Sequence, residues 1–412
     1  MTLAHAPEPR LAPSGPAHSL GVATLMRLIQ VEAELAVVWD GLMARLAADE
    51  ADAGALLDVS TLLQMSGQTE KALELQARAI AQQPCYRTVH GTGTGLRILA
   101  FMTPGDLMAN TPLDFLLEGS DAELTLCYLD GRAPDPERLP PHDVAFLAVG
   151  QSDEGSELLR GLQGAFDNWP VPVLNADAAL IADFSREGVA GRLADAPGVL
   201  CPGAVRLDRG ALIQLAMRAE AAEPLEADTA FPLIVRPVGS HAGRGLQKLT
   251  LPGDLVTYLP ERPEAEFYVS PFVDYAGPDG LFRKLRVVFV AGRPFLSHLA
   301  VSEHWMVHYL NAGMAESPAK RAEEAELFAT FDAGFCTRHA EALAAVCRRL
   351  PLDYFGIDCA ETKDGRLLVF EADVALIVHN IDPPDLYPYK PPAMTRLFAA
   401  VLEAFTERAH AT

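Results

Sequence analysis

Cysteines are few in this sequence and show no pairing pattern. Six occur in 412 residues, with no Cys-x-x-Cys pair: Cys85, Cys127, Cys201, Cys336, Cys347 and Cys359. This spread excludes a disulfide framework and a structural zinc site. We therefore expect most of these cysteines to be small core residues of a protein in the reducing cytoplasm.

Positive charge and long apolar runs are also lacking. Lys and Arg total 33 against 55 Asp and Glu, a net charge of −22, and this charge repels phosphate backbones. Nucleic acid is excluded as the main partner, although a local basic pocket for a small anion remains compatible with this charge. No apolar run approaches the roughly 20 residues that cross a bilayer, so we expect no membrane partner.

The first part of the chain reads as a loose tail over residues 1–19, followed by an Ala- and Leu-rich helical segment over 20–85. We predict two helices that meet at Gly67, which supplies a left-handed cap, and that end at Pro84. The spacing of Gly67, Ala72, Leu73, Ala79 and Pro84 resembles a tetratricopeptide helix pair. A single pair cannot bury its own face, so it is either a cap on the next domain or a peptide-docking surface.

Two patterns follow the helical segment. Residues 92–205 alternate apolar strands, such as 96–102 and 124–130, with helical stretches, which favours a small, mostly parallel α/β sheet. Beyond a Pro/Glu/Ala-rich hinge near 221–230, the strands come in antiparallel pairs with hairpin turns. The fold class is therefore α/β followed by α+β.

The last hairpin is the sharpest functional signal. A two-residue turn at Asp364-Gly365 would place Asp358 opposite Glu371, with Asp373 on the same face. Like charges directly opposite destabilise a strand pair. A hard divalent cation such as Mg²⁺ reverses that effect; the alternative is a solvated acidic face.

A glycine-rich loop between two strands is the second signal. Glycines let backbone N–H groups close round phosphate oxygens, and two arginines would add charge-assisted contacts. The residues concerned are Arg236, Gly239, Ser240, Gly243, Arg244 and Gly245. A glycine-rich hairpin turn is the alternative.

The third signal is an apolar strand broken by Pro271, with Asp274 or Asp279 after it. The break could present main-chain atoms to an adenine edge, with the acid on the ribose; by itself the segment reads as an edge strand. On the next strand Lys284 and Arg286 share one face.

Histidines cluster after that strand. The residues following its hairpin are His298, Ser302, His304 and His308, without an HExxH motif or a cysteine partner. Zinc binding is disfavoured and a loop facing a substrate is favoured.

Taken together and in this order, these segments resemble the ATP-grasp superfamily over residues 92–410. The resemblance implies a small sheet domain (92–205) before an ATP-grasp fold (206–412), whose antiparallel sheets clamp the nucleotide. It implies ATP as cosubstrate with Mg²⁺, or Mn²⁺, held by Asp358, Glu371 and Asp373. The third ligand is normally asparagine in that family.

The resemblance also assigns nucleotide contacts. Arg236 takes the place of a phosphate-binding lysine, Arg192 matches a second one, and Arg286 matches the arginine that stabilises the phosphoryl group. Lys284 shares that face. The Pro271 carbonyl and the Val273 N–H would meet adenine, with Phe272 against its ring and Asp274 close by.

The implied activity is that of a carboxylate–amine ligase acting on small-molecule or peptide substrates through an acyl phosphate. His298 or His304 is the candidate general base. Ser302, His308, His379 and Asn380 are candidates for the acceptor pocket, because VALIVHNID replaces the family's usual loop. Two alternatives stay open: a phosphotransferase, and a degenerate nucleotide-binding scaffold whose helical segment binds a peptide. A homodimer is equally open.

Overall fold

The computed structural model describes residues 15–221, 229–240 and 243–411. The chain divides into two compact units. The first consists of Met1–Ala182, Leu352–Tyr354 and Val374–Thr412, and the second of Asp183–Pro351 and Phe355–Asp373. The helical segment thus shares a unit with the small sheet. The hinge expected at 221–230 falls mostly outside the described residues.

The α-helices are numbered in chain order. They are α1 (Val22–Ile29), α2 (Glu32–Ala48), α3 (Ala53–Met65), α4 (Thr69–Gln82), α5 (Leu113–Leu116), α6 (Asp153–Gly161), α7 (Ala178–Ala182), α8 (Arg186–Leu193), α9 (Arg209–Glu220), α10 (Leu255–Tyr258), α11 (Pro318–Thr330), α12 (Ala340–Arg349) and α13 (Lys390–His410). Among the described residues, no helix is both long and apolar enough to span a membrane.

The strands are numbered likewise. They are β1 (Ala17–His18), β2 (Cys85–Val89), β3 (Arg97–Met102), β4 (Glu123–Tyr128), β5 (Val144–Leu147), β6 (Val173–Leu174), β7 (Val199–Leu200), β8 (Val205–Asp208), β9 (Leu233–Pro237), β10 (Gln247–Leu249), β11 (Glu266–Pro271), β12 (Phe282–Val290), β13 (Arg293–Ser302), β14 (Tyr354–Glu361) and β15 (Leu367–Asp373).

The helical segment folds as its sequence predicts. Gly67 has φ 78°, and the Gln68 N–H donates to the Leu63 carbonyl at 2.9 Å, which closes α3. Helix α4 ends at Gln82, before Pro84. Side chains from α1, α2 and α3 form a common core: Leu25, Leu42, Ala55, Val59 and Leu62. These helices therefore bury apolar surface among themselves, and the tetratricopeptide likeness stays a prediction.

The sheet of the first unit has the order β1-β2-β4-β3-β5-β6. Strands β3, β4, β5 and β6 run parallel to one another, while β2 runs antiparallel to β4, so the mostly parallel sheet is confirmed. Strand β1 pairs with β2. The predicted tail is therefore wrong for Ala17 and His18, and residues 1–14 lie outside the described part of the chain.

The second unit holds two sheets, and their strands confirm the predicted fold class. One has the order β10-β9-β11-β8 with antiparallel pairs, packed against α9. The other has the order β13-β12-β14-β15-β7. Strand β11 lies inside its sheet, so reading it as an edge strand was wrong. The reason is the short strand β8, which pairs with Glu266–Val269 on one side of β11, while β9 pairs with the other side as far as Pro271.

Candidate functional site

The acidic hairpin of β14 and β15 has the predicted pairing. Asp358 lies opposite Glu371, and Gly356 opposite Asp373. Three carboxylates thus share one face of the sheet.

The turn that produces this pairing differs from the prediction. The Thr362 N–H donates to the Arg366 carbonyl at 2.9 Å, and Gly365 has φ 83°, so the loop has three residues rather than two. That loop alone would move every pair by one position and send Glu371 to the opposite face. A bulge, in which Phe370 is the extra residue, restores the register next to Asp358.

A second bulge, between β12 and β13, determines which face of the sheet His298 occupies. Arg286 on β12 lies opposite His298 on β13, but Val287 lies opposite Leu296, so Ser297 is the extra residue. Counted from the hairpin turn without this bulge, Ser297 would face Arg286 and His298 would point to the other side. The two bulges therefore bring basic and acidic side chains to neighbouring positions of one sheet.

Asp358 is the centre of a buried ion cluster. Its carboxylate accepts from Lys284 Nζ at 2.8 Å and from Arg286 Nε at 2.8 Å, and the Asp358 side chain is 1% exposed. Burial alone would raise the pKa of Asp358, yet Arg286 and Lys284 hold it well below its usual range. Burial likewise opposes the charge of Arg286, whose pKa Asp358 nevertheless raises.

Glu371 has a different basic partner. Arg186 Nη2 lies 2.6 Å from Glu371 Oε2, and both side chains are about one-third exposed, at 27% and 31%. Burial opposes ionisation of Glu371, but Arg186 lowers its pKa. Arg186 opens helix α8, which begins where the Ser185 side chain accepts from the Gly188 N–H at 3.1 Å.

The family resemblance assigns a phosphate contact to Arg192, but the structure places this side chain away from the Arg186–Glu371 pair. Arg192 Nη2 lies 2.7 Å from Asp183 Oδ2 in an exposed ion pair. Arg192 follows Arg186 by six positions, about 120° around the helix, so the two side chains lie on different faces. Arg186 was missed because the sequence does not reveal which face of α8 meets the hairpin.

Arg236 on β9 is a largely buried cation. Its guanidinium donates to the Ser240 Oγ at 3.2 Å and to the Ser240 carbonyl. Among the described residues, no carboxylate lies within ion-pair distance of it. Burial, with a smaller contribution from Arg186, lowers its pKa to about 10. A cation held this way is suited to an anionic ligand.

Positive charge exceeds negative charge in this cluster. Four cations surround three carboxylates, and each influences the ionisation of others: Arg186, Arg236, Lys284, Arg286, Asp358, Glu371 and Asp373. A chain of net charge −22 therefore contains a local cluster of net positive charge.

Two of the predicted histidines belong to this cluster. His298 helps to keep Asp358 ionised, and its ring centroid is 4.6 Å from that of Tyr309. His308 is half-buried, and burial together with Lys284 and Arg286 lowers its pKa, so its ring is neutral at pH 7.

The glycine-rich loop joins β9 to β10. Gly239, Gly243 and Gly245 have φ 71°, 73° and 68°, the left-handed region that favours glycine. A Cβ on Gly245 would lie 2.7 Å from Pro237, whereas Gly239 faces open space. Arg244 is exposed. Residues 241–242 of the loop lie outside the described part.

The segment after β11 exposes main-chain groups. The Phe272 N–H donates to the Pro232 carbonyl at 2.9 Å, so the Pro271 carbonyl and the Val273 N–H point to the opposite edge of the strand. The Phe272 ring lies 3.6 Å below Lys248 Nζ. Asp274 forms an ion pair with Lys363 at 2.6 Å.

The remaining predicted site residues have partners other than the residues of the ion cluster. Ser302 is buried and its Oγ accepts from the His304 N–H at 3.1 Å, while the His304 side chain is exposed. His379 and Asn380 belong to the first unit, where the His379 ring centroid is 6.1 Å from that of Phe115 and the Asn380 carbonyl accepts from Arg27 at 3.2 Å.

The carboxylates of the hairpin are suitable ligands for a magnesium ion, but two of them form ion pairs with basic side chains in this structure. Carboxylate oxygens are the donors that Mg²⁺ prefers. Across residues 15–221, 229–240 and 243–411, however, no group of three or more His, Cys, Asp or Glu is placed to hold a metal. Both Asp358 oxygens are engaged by Lys284 and Arg286, so Glu371 and Asp373 are better placed as ligands. The magnesium assignment stays a prediction.

No family model and no curated protein matches the chain. Several hundred solved chains are similar to it, among them the following three. D-alanine–D-alanine ligase from Bacillus anthracis, complexed with ATP, has 14% identity over 76% of this chain and 97% of its own, with a TM-score of 0.42. The RimK domain protein ATP-grasp from Sphaerobacter thermophilus has 16% identity over 75% and 99%, with a TM-score of 0.41. VanG D-Ala:D-Ser ligase from Enterococcus faecalis has 13% identity over 76% and 100%, with a TM-score of 0.46. At these values the matches do not assign an activity.

Proposed function

We propose that the protein is an ATP-dependent ligase that joins a carboxylate to an amine. The observation that carries this proposal is the cluster of four cations and three carboxylates beside a glycine-rich loop. In the reaction, the carboxylate oxygen attacks the γ-phosphorus of ATP and ADP leaves. The ammonium ion of the second substrate loses one proton, the neutral amine attacks the acyl carbon, the C–O bond to the phosphate breaks, and an amide and inorganic phosphate result.

The cations would neutralise the phosphates. Arg236, buried without a carboxylate at ion-pair distance in the described residues, is available for a phosphate oxygen, and Arg286 with Lys284 would stabilise charge on the transferred phosphoryl group. A magnesium ion held by Glu371 and Asp373 would supply further charge neutralisation.

The remaining parts of the substrates would meet other groups of the second unit. The Pro271 carbonyl and the Val273 N–H, on one edge of the strand, offer an acceptor and a donor to adenine. His308, neutral at pH 7 beside the cluster, is the candidate base for the amine, and His298, opposite Arg286, is a second candidate. Exposed His304 fits this role less well.

Calorimetry tests the nucleotide site. We expect a non-hydrolysable ATP analogue to bind the wild type with Mg²⁺ and to bind Glu371→Ala at least tenfold more weakly. The control Asp364→Ala removes an exposed carboxylate on the loop of the same hairpin and should bind normally. Absence of binding to folded wild type would contradict the proposal and leave a scaffold role.

Product analysis then separates the enzyme classes. Carboxylates and amines are screened for ADP release, and the products are identified by mass spectrometry. An amide with ADP and phosphate supports the ligase, whereas a stable phosphorylated product would replace it with a phosphotransferase.

Helix α8 supplies a matched pair of variants. Arg186→Met removes the partner of Glu371 and should weaken Mg²⁺-dependent nucleotide binding. Arg192→Met removes only an exposed ion pair with Asp183 and should not. If Arg192→Met has the larger effect on binding, the site has been placed on the wrong face of the helix.

A further inference from the structure

Two cysteines of the first unit face each other across neighbouring strands. Cys85 on β2 lies opposite Cys127 on β4. Just beyond this pair, the Tyr128 N–H donates to the Pro84 carbonyl at 2.9 Å. Because bonded and non-bonded pairs alternate in an antiparallel ladder, Cys85 and Cys127 occupy a non-bonded pair, in which side chains approach most closely.

The two sulfur atoms are correspondingly near. Cys85 Sγ lies 2.8 Å from Cys127 Sγ, inside the packing distance of two unbonded sulfur atoms. In a non-bonded pair the Cα atoms are about 4.5 Å apart, within the range of about 4.4–6.8 Å over which a disulfide can form. The backbone therefore already allows the bond.

A cavity gives access to this pair. Its volume is about 750 Å³, and both cysteines line it together with the proline-containing stretch from Leu129 to Pro141. Cys85 is 0% and Cys127 4% exposed, and this space offers a small oxidant a route to them. Large alkylating reagents should react more readily with the half-buried Cys336 and Cys347.

We propose that Cys85 and Cys127 form a reversible disulfide when the protein meets hydrogen peroxide. One thiol sulfur attacks a peroxide oxygen, the O–O bond breaks, and a sulfenic acid and one water result. The second thiol attacks the sulfenic sulfur, the S–S bond forms, and a second water leaves. The two thiols lose two protons and two electrons, and one peroxide takes them up to become two waters.

The disulfide would fasten the helical segment to the sheet. Strand β2 follows α4 directly and also pairs with β1. The helical segment and β1 are therefore both connected to the sheet through β2. A covalent bond between Cys85 and Cys127 closes the chain between them into a loop, which lowers the conformational entropy of the unfolded state. We expect oxidation to raise the thermal unfolding temperature by several degrees.

Peptide mapping tests the proposal in the folded full-length protein. The double variant Cys336→Ala/Cys347→Ala, which keeps the facing pair, is exposed to peroxide, blocked with an alkylating reagent and digested without reduction. We expect a peptide pair linked through Cys85 and Cys127 that dithiothreitol separates, and no such product from Cys85→Ala. Cys85 and burial raise the pKa of Cys127 well above its usual value, so the reaction should be faster at higher pH.

Three results would overturn it. In the first, Cys85 and Cys127 stay reduced in the folded wild type while peroxide oxidises Cys336. In the second, the disulfide links two different protein molecules. In the third, the oxidised protein has an unfolding temperature no higher than that of the reduced protein. If Cys85→Ala does not fold, the first and last results are read from proteins that retain both cysteines. None of them depends on the proposed ligase activity.

Discussion

The buried charge of Arg236 should lower the free energy of unfolding. Replacing Arg236 tests whether this destabilising residue is needed for nucleotide binding. Burial and Arg186 lower the pKa of this arginine to about 10, well below its ordinary value. At about 1.4 kcal/mol per pKa unit, holding the charged form costs about 3 kcal/mol. Its two hydrogen bonds to Ser240 return about 2 kcal/mol.

The variant Arg236→Met removes both contributions and keeps most of the side-chain volume. We expect its free energy of unfolding to exceed that of the wild type by about 1 kcal/mol, measured by urea unfolding. Because the cation is lost from the phosphate site, the affinity for an ATP analogue should fall at least tenfold, which is about 1.4 kcal/mol.

Arg209 is the matched control in the same unit. Its guanidinium donates to the carbonyls of Leu259, Arg262 and Glu264, which holds a loop in place. Arg209→Met should therefore lower the free energy of unfolding by about 2–4 kcal/mol without a specific effect on nucleotide affinity. The reasoning about Arg236 is refuted if Arg236→Met behaves in this way: destabilised by more than about 2 kcal/mol, with unchanged binding.

Three further predictions concern stability. Burial raises the pKa of Asp58 to about 6, so its favourable contribution is present at low pH and is lost as the pH rises through 6. Asp58→Asn should be more stable than the wild type by up to about 3 kcal/mol at about pH 8 and equal to it near pH 4, measured by urea unfolding; an unchanging difference would contradict this. Asp358→Asn removes the carboxylate that pairs with both Lys284 and Arg286 and should cost about 3–5 kcal/mol; a loss below 1 kcal/mol would contradict the buried cluster. Gly245 has a left-handed φ, and a Cβ at this position would contact the Pro237 ring. Gly245→Ala should therefore lower the free energy of unfolding by about 1–3 kcal/mol in thermal unfolding, and an unchanged melting temperature would contradict this.

The sequence predicts the strands and the face on which the acidic residues lie. The predicted pairing is correct only because two features that the sequence does not predict cancel each other. The three-residue loop at Gly365 and the bulge at Phe370 each move the register by one residue, and together they restore the expected pairing of Asp358 with Glu371. Bulges depend on how a strand fits its neighbours, and apolar alternation does not report them.

Other parts of the site depend on contacts between distant segments. Arg186 reaches Glu371 only because α8 presents its first turn to β15, and the position of β11 depends on its pairing with β8. The facing of Cys85 and Cys127 likewise arises from strands separated by some 40 residues. Local patterns predict each element, whereas the pairing of elements is a property of the whole fold.

The composition of the first unit has a consequence for biosynthesis. Phe146 on β5 packs against Phe405 of α13, with ring centroids 5.8 Å apart. Some 200 residues between Ala182 and Lys390 must therefore leave the ribosome before this unit can complete its core. At about 5–20 residues per second this takes roughly 10–40 s, during which the face of β5 that α13 will cover is open to chaperones. Synonymous codons that slow translation within the second unit should lengthen this period without altering the finished protein.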